Sequence, residues 1–137
     1  MGAYDAVRTS FTRCLMTDPL VVDQFYEIFL DSHVDLRPLF ASTDFERQKE
    51  LLRKGISYVI GFANGAELSR RNLQRVRESH SKANLNIKTD LYQHWVASLM
   101  TVVKKNDPEM TDDLEILWYD ALNAGVNFIK EGYDEGS

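Results

Sequence analysis

The stretch FYEIFLDSHVDLRPLF (residues 25–40) has the pattern of an amphipathic helix that ends in a turn. Its residues Phe25, Tyr26, Phe29 and Leu30 recur three and four positions apart and, with Val22, lie on one helical face. The face is apolar except for the hydroxyl group of Tyr26. The pattern therefore predicts a helix that packs into a core and carries one polar group with it.

Apolar residues recur three and four positions apart along the rest of the chain, and strict alternation of apolar and polar residues, which would indicate strands, is missing. Asp18 can cap the helix that contains residues 25–30, with Pro19 at its first position, and Pro38 breaks the pattern or opens a short helical turn. The segment STDFERQKELL starts another helix, which Gly65 is well placed to end. Further helices are expected at about residues 2–16, 66–81, 89–105 (opened by Thr89 and Asp90) and 112–133 (after Pro108 and Thr111). The prediction is an all-α fold of six or seven helices joined by short loops, in a single domain over residues 1–137.

Three polar side chains lie on otherwise apolar helical faces. His80 follows Val76 by four positions, Gln48 precedes Leu52 by four, and Tyr26 lies among aromatic residues. Burying one of these groups without a partner costs about 1–3 kcal/mol. Taken alone, His80 reads more readily as a hydrogen-bonded core residue than as a metal ligand. For Tyr26 the alternative to a binding role is a core tyrosine bonded to a backbone carbonyl, and for Gln48 it is a solvent-facing residue. Their occurrence on three different helices suggests one shared polar target.

Composition excludes several classes of function. The net charge is −5 with acidic residues spread along the chain, which argues against nucleic acid as a partner. The basic cluster SRRNLQRVR is interleaved with apolar positions and reads as a solvated helix face. Cys14 is the only cysteine, so no disulfide can form within the chain, and no apolar run approaches membrane-spanning length. We expect a cytoplasmic protein with no membrane interaction.

Four segments together carry a family resemblance. The block FYEIFLDSHVDLRPLF, followed by ERQKELL, RVRESH and LYQHWV, resembles the bacterial single-domain globins and the globin domain of flavohaemoglobins. Gln48 follows Phe40 by eight residues and His80 follows Gln48 by 32, although the first connection is about two residues shorter than in flavohaemoglobins. The resemblance covers nearly the whole chain and implies the globin fold around a haem pocket.

The resemblance implies a haem b cofactor, with its iron held by His80 as the proximal ligand. The other ring nitrogen of His80 should donate to a backbone carbonyl one turn earlier, from Val76 or Arg77. Phe40 would stack on the haem. The apolar walls of the pocket would be formed by Leu52, Ile56 and Val76.

Tyr26 and Gln48 correspond to the distal pair of the family, which donates hydrogen bonds to a bound gas. Tyr92 matches a proximal tyrosine that acts in flavohaemoglobins together with a glutamate from the last helix. Counting from Trp118, that glutamate is expected near Gly132 or Tyr133, whereas Glu131 comes one or two residues early. A glutamate displaced in this way faces another direction, which would weaken electron donation to the iron ligand.

The function implied is reversible binding of oxygen, nitric oxide and carbon monoxide, with high oxygen affinity. Three uses stay open: a ligand carrier or store, a nitric oxide dioxygenase supplied by a separate reductase, and a gas sensor or interaction module. Enzymatic activity is therefore undecided. An external reductase, a signalling partner and a second copy of the chain are the candidate protein partners.

Overall fold

The computed structural model describes residues 2–16 and 20–134. Within these ranges the chain is helical and contains no strand, which confirms the all-α prediction. The helices are α1 (Asp5–Leu15), α2 (Leu20–Asp31), α3 (Leu36–Leu39), α4 (Phe45–Ala63), α5 (Glu67–Ser79), a 3₁₀ helix (Thr89–Leu91), α6 (Tyr92–Asn106) and α7 (Asp112–Glu131). No helix of this part of the chain is long and apolar enough to cross a membrane.

Local capping fixes several helix ends. The Asp44 side chain accepts hydrogen bonds from the amides of Glu46 and Arg47, and the Thr111 hydroxyl accepts one from Leu114. Gly65 has a φ of +79°, a left-handed conformation that favours glycine after a helix. Pro38 lies inside the short helix α3. The predicted cap at Asp18 and Pro19 lies outside the described residues.

Several predicted helix boundaries differ from the structure by up to three residues, and α1 begins at Asp5 instead of residue 2. The helix expected to run to residue 81 ends at Ser79, so that His80 caps it. Thr89 and Asp90 form a separate 3₁₀ turn before α6. The last helix ends at Glu131 instead of residue 133, and Gly132 occupies its C-cap. Each difference affects the end of an element, where hydrogen bonding changes from helical to turn geometry.

The close approach of α4 and α7 organises the helix packing. Helix α4 packs against both α5 and α7, while α2 packs against α6. A Cβ atom on Gly125 of α7 would lie 2.9 Å from Cγ1 of Val59 on α4, so only glycine allows this approach. Trp118, about two turns of α7 closer to its start, is fully buried with its ring edge-on to Phe11.

A buried polar network joins α1, α7 and the turn after α6. The Trp118 indole donates to Ser10 Oγ at 2.9 Å, and the Ser10 hydroxyl donates to Asp107 Oδ2 at 2.5 Å. Arg13 Nε donates to the other carboxylate oxygen of Asp107 at 2.6 Å. The Arg13 guanidinium, together with the Ser10 hydroxyl, holds the pKa of Asp107 down to about 2 against the opposing effect of burial. The network therefore gives the buried side chains of Ser10, Asp107 and Trp118 hydrogen-bond partners.

We predict that Asp107→Asn lowers the free energy of unfolding by about 1–2 kcal/mol at neutral pH, because the depressed pKa of a solvent-shielded carboxylate stabilises the folded state. This contribution is present above the unfolded-state pKa of about 3.8 and is lost as the pH falls towards 2. Urea unfolding at several pH values should therefore show the two proteins converging in acid. Asp120→Asn, an exposed change on α7, serves as the control, and a constant difference at all pH values would contradict the assignment.

Candidate functional site

A cavity of about 520 Å³ lies between the helix pair α2 and α4 and the ends of α5 and α6. Its wall is largely apolar, and its volume falls in the range of roughly 300–1,000 Å³ that is typical of cofactor pockets. Three leucines line the cavity although they are substantially exposed: Leu39 at 43%, Leu51 at 47% and Leu85 at 60%. Apolar side chains that meet solvent around an apolar cavity indicate a surface that a ligand covers.

The structure brings seven of the eight predicted site residues to this cavity: Tyr26, Phe40, Gln48, Leu52, Val76, His80 and Tyr92. Ile56 is buried at 2% exposure and is not among the residues that line the cavity, so its place in the wall of a haem pocket stays a prediction. On α4 the wall is formed instead by Gly55 and Val59, which follow Leu51 and Leu52 around the helix. Ile56 is turned from them into the packed core.

His80 is held at the C-terminal end of α5. Its backbone amide donates to the Val76 carbonyl at 3.0 Å, and its ring atom Nδ1 lies 3.0 Å from Ser79 Oγ. Burial lowers the pKa of His80, while a backbone hydrogen bond with Val76 acts in the opposite direction. The ring is therefore neutral near pH 7, and with Nδ1 engaged it has Nε2 available as a donor atom for a metal.

Tyr26 and Gln48 come from the opposite pair of helices, α2 and α4. The Tyr26 hydroxyl donates to the Gln48 backbone carbonyl at 3.3 Å, a long hydrogen bond of the kind expected for a core tyrosine. Burial raises the pKa of Tyr26 to about 12, and hydrogen bonding with the Gln48 side chain opposes this shift. The phenol thus stays protonated and able to donate at all ordinary pH values.

Tyr92 lies beside the histidine, with its ring centroid 6.4 Å from that of His80. Burial raises the pKa of its hydroxyl, which makes no hydrogen bond within the described ranges. In the described part of the chain, no glutamate side chain lies beside Tyr92. The Glu131 side chain is 69% exposed and lies 3.8 Å from Arg77, and α7 contributes only Val126 and Ile129 to the cavity.

Comparison with known proteins identifies the family. No family model matches the chain, and neither does any curated protein. A crystal structure from Pseudomonas aeruginosa, described as that of a protein structurally highly homologous to a human haemoglobin, matches with a TM-score of 0.89 and 34% identity. The match covers 97% of this chain and 99% of that one. This chain belongs to the bacterial single-domain globins.

The other two histidines of this globin lie outside the cavity. The rings of His33 and His94 are 5.1 Å apart, and His33 Nδ1 accepts a hydrogen bond from the Asp35 amide. In the described part of the chain, no three His, Cys, Asp or Glu side chains are grouped as metal ligands. Cys14 is buried in α1, where burial raises the pKa of its thiol to about 11, so it is protonated and unreactive.

Sequence patterns miss three features of the globin cavity. Gly55 opens α4 towards it, since a Cβ atom at this position would have nothing within 4 Å. Leu51 and Leu85 form its exposed rim. Leu85 is an apolar residue within the polar run SKANLNIK, and this isolated position could have indicated an exposed apolar rim. A glycine inside a helix carries no comparable signal, because it is compatible with a cavity and with a close helix contact alike.

We predict that Gly55→Ala stabilises the globin by up to about 1 kcal/mol, because alanine has the higher helix propensity and its methyl group enters open space. Gly125→Ala should instead destabilise it, since the new methyl group would meet Val59. The midpoints of urea unfolding curves measure both effects, provided that the dependence of the unfolding free energy on urea concentration is unchanged. Equal destabilisation by the two substitutions would show that the α4 face at Gly55 is packed.

Proposed function

We propose that this globin binds one haem b in the cavity, with His80 as the iron ligand, and binds oxygen, nitric oxide and carbon monoxide reversibly. The observation that carries the proposal is a neutral, half-buried imidazole at the wall of an apolar cavity that two hydrogen-bonding side chains, Tyr26 and Gln48, also line. Haem, when bound, supplies a ferrous iron at which diatomic gases bind.

The residues of the cavity fit this group. A flat, largely apolar macrocycle is complementary to a wall of aliphatic and aromatic side chains, and it would cover the exposed rim leucines. Lys54 also lines the cavity and is more than half exposed, so it offers a cation to the carboxylates at a haem edge. Phe40 provides an aromatic face next to Tyr26, with their ring centroids 6.2 Å apart.

Tyr26 and Gln48 would set the preference among gases. Bound oxygen carries more negative charge than bound carbon monoxide, and a donor in a water-poor cavity stabilises such charge strongly. The present hydrogen bond of Tyr26 to a carbonyl is long, so the phenol loses little by turning to a ligand. Tight oxygen binding with slow release is the expected result.

Reversible binding is favoured over redox turnover by the surroundings of Tyr92. No carboxylate lies beside it in the described ranges, so nothing there makes His80 more electron-donating. Nitric oxide dioxygenation would further need electrons from a separate reductase. We therefore propose a carrier or store of diatomic gas, with the dioxygenase and sensor roles as alternatives that turnover and partner-binding assays would identify.

The His80 role is tested by His80→Ala. We predict loss of stable haem binding, or a ferrous spectrum without the features of a histidine-ligated haem, because no other histidine lines the cavity in the described structure. Absorption spectra of the ferric, reduced and carbon monoxide forms measure this. His94→Ala is the matched control and should keep the parental spectrum. Parental haem affinity and spectrum in His80→Ala would overturn the ligand assignment.

The Tyr26 role is tested by Tyr26→Phe. Oxygen release should become about tenfold faster, the consequence of losing about 1.4 kcal/mol from one hydrogen bond to a charged ligand. Stopped-flow displacement of oxygen measures the rate, and carbon monoxide release serves as the internal control because it depends less on the donor. An unchanged oxygen rate would assign ligand stabilisation to Gln48 or another donor.

A further inference from the structure

A pair of histidines lies where the end of α2 meets the start of α6. His33 follows the last residue of α2 by two positions, and His94 is the third residue of α6. The centroids of their rings are 5.1 Å apart, and the ring planes make an angle of 63°. Both residues are partly exposed, so an ion in solution can reach the pair.

The separation of the two rings is that of two imidazoles bound to one metal ion. A tetrahedral zinc ion lies about 2.0–2.1 Å from each imidazole nitrogen. The centroid of each ring is roughly 1 Å farther from the ion, so two imidazoles on one tetrahedral ion have centroids about 5 Å apart. His33 and His94 therefore have the spacing that a shared ion requires without any movement of the helices.

Asp35 is placed to orient the imidazole of His33. Its backbone amide donates to His33 Nδ1 at 3.0 Å, and its carboxylate oxygen Oδ2 lies 3.9 Å from the same nitrogen. A histidine that binds a metal through Nε2 carries its proton on Nδ1 and usually donates it to a carboxylate, a carbonyl or water. The Asp35 side chain is 67% exposed, so it can turn to accept that proton while water bonds to the released amide.

The ligand atoms decide which ions the histidine pair can bind. Imidazole nitrogen suits Zn²⁺, Cu²⁺ and Ni²⁺, whereas Mg²⁺ and Ca²⁺ prefer oxygen ligands. In the described part of the chain, no third histidine, cysteine or carboxylate is grouped with the pair as a ligand. Water molecules would complete the coordination, as they do in open zinc sites.

We infer that His33 and His94 form a binding site for a divalent transition-metal ion, that Asp35 orients His33, and that the ion joins α2 to α6. The site is separate from the cavity and does not depend on the proposed haem binding. Phe25 of α2 and Trp95 of α6 meet across the same two helices, with ring centroids 6.2 Å apart, and both line the cavity. A bound ion therefore stabilises the helix contact that forms this part of the cavity wall.

Isothermal titration of the untagged, full-length protein with zinc chloride tests the site. The parental protein should show saturable binding of one Zn²⁺ per chain. His33→Ala and His94→Ala should each weaken this binding about tenfold or more, because each removes one of the two protein ligands, and Asp35→Asn should weaken it about tenfold through the lost orientation of His33. Zinc should also raise the thermal unfolding midpoint of the parental protein, but not that of the two histidine variants.

The matched control is Gln93→Ala, which changes the exposed residue next to His94 and should keep the parental zinc affinity. Magnesium chloride should give no saturable binding. The site would be overturned by the absence of saturable zinc binding, or by unchanged affinity in either histidine variant when circular dichroism shows that it is folded. Magnesium binding as tight as that of zinc would also overturn it, since that result assigns the ion to surface carboxylates. None of these results bears on haem uptake, which absorption spectra measure separately.

Discussion

The contact between Val59 of α4 and Gly125 of α7 is the constraint on which the rest of the molecule depends. It brings the two longest helices together at a distance that no larger residue permits. Val59 also lines the cavity, and Gly55, one turn earlier on the same face of α4, has open space in front of it. One face of α4 is therefore tightly packed at Val59 and unfilled at Gly55, and an apolar cavity costs stability that packing elsewhere must offset.

The buried polar groups divide into two kinds by how well they are bonded. Around Asp107, the indole of Trp118, the hydroxyl of Ser10 and the guanidinium of Arg13 form short bonds that satisfy one another. At the cavity the Tyr26 hydroxyl has a long bond, and the Tyr92 hydroxyl has none among the described residues. Both tyrosines line the cavity, so a molecule bound there would be in place to complete the hydrogen bonding of their hydroxyls.

Much of this architecture could be predicted from the sequence, because helix periodicity and capping are local properties. The caps at Asp44 and Thr111 and the turn at Gly65 are encoded within a few residues. Ile56, predicted in the wall of the haem pocket, is buried and not among the residues that line the cavity, because residues four apart share a helix face only approximately and a buried position has the same sequence pattern beside a void as beside a packed core. The open face at Gly55 has no local pattern at all. It depends on how α4 is rotated against α7, which only the tertiary packing determines.

The surroundings of His80 also restrict the chemistry. An imidazole whose partners are the neutral groups of Ser79 and Val76 is a weaker electron donor than one bonded to a carboxylate. On the side of Tyr26, burial raises the pKa of the phenol to about 12, so the hydroxyl keeps its proton and can donate it. Under the proposed function, a neutral iron ligand and a phenol donor would both stabilise a bound gas without promoting cleavage or reduction of it. The two sides of the cavity are built from different helices and would then serve the same function, retention and release of a small ligand.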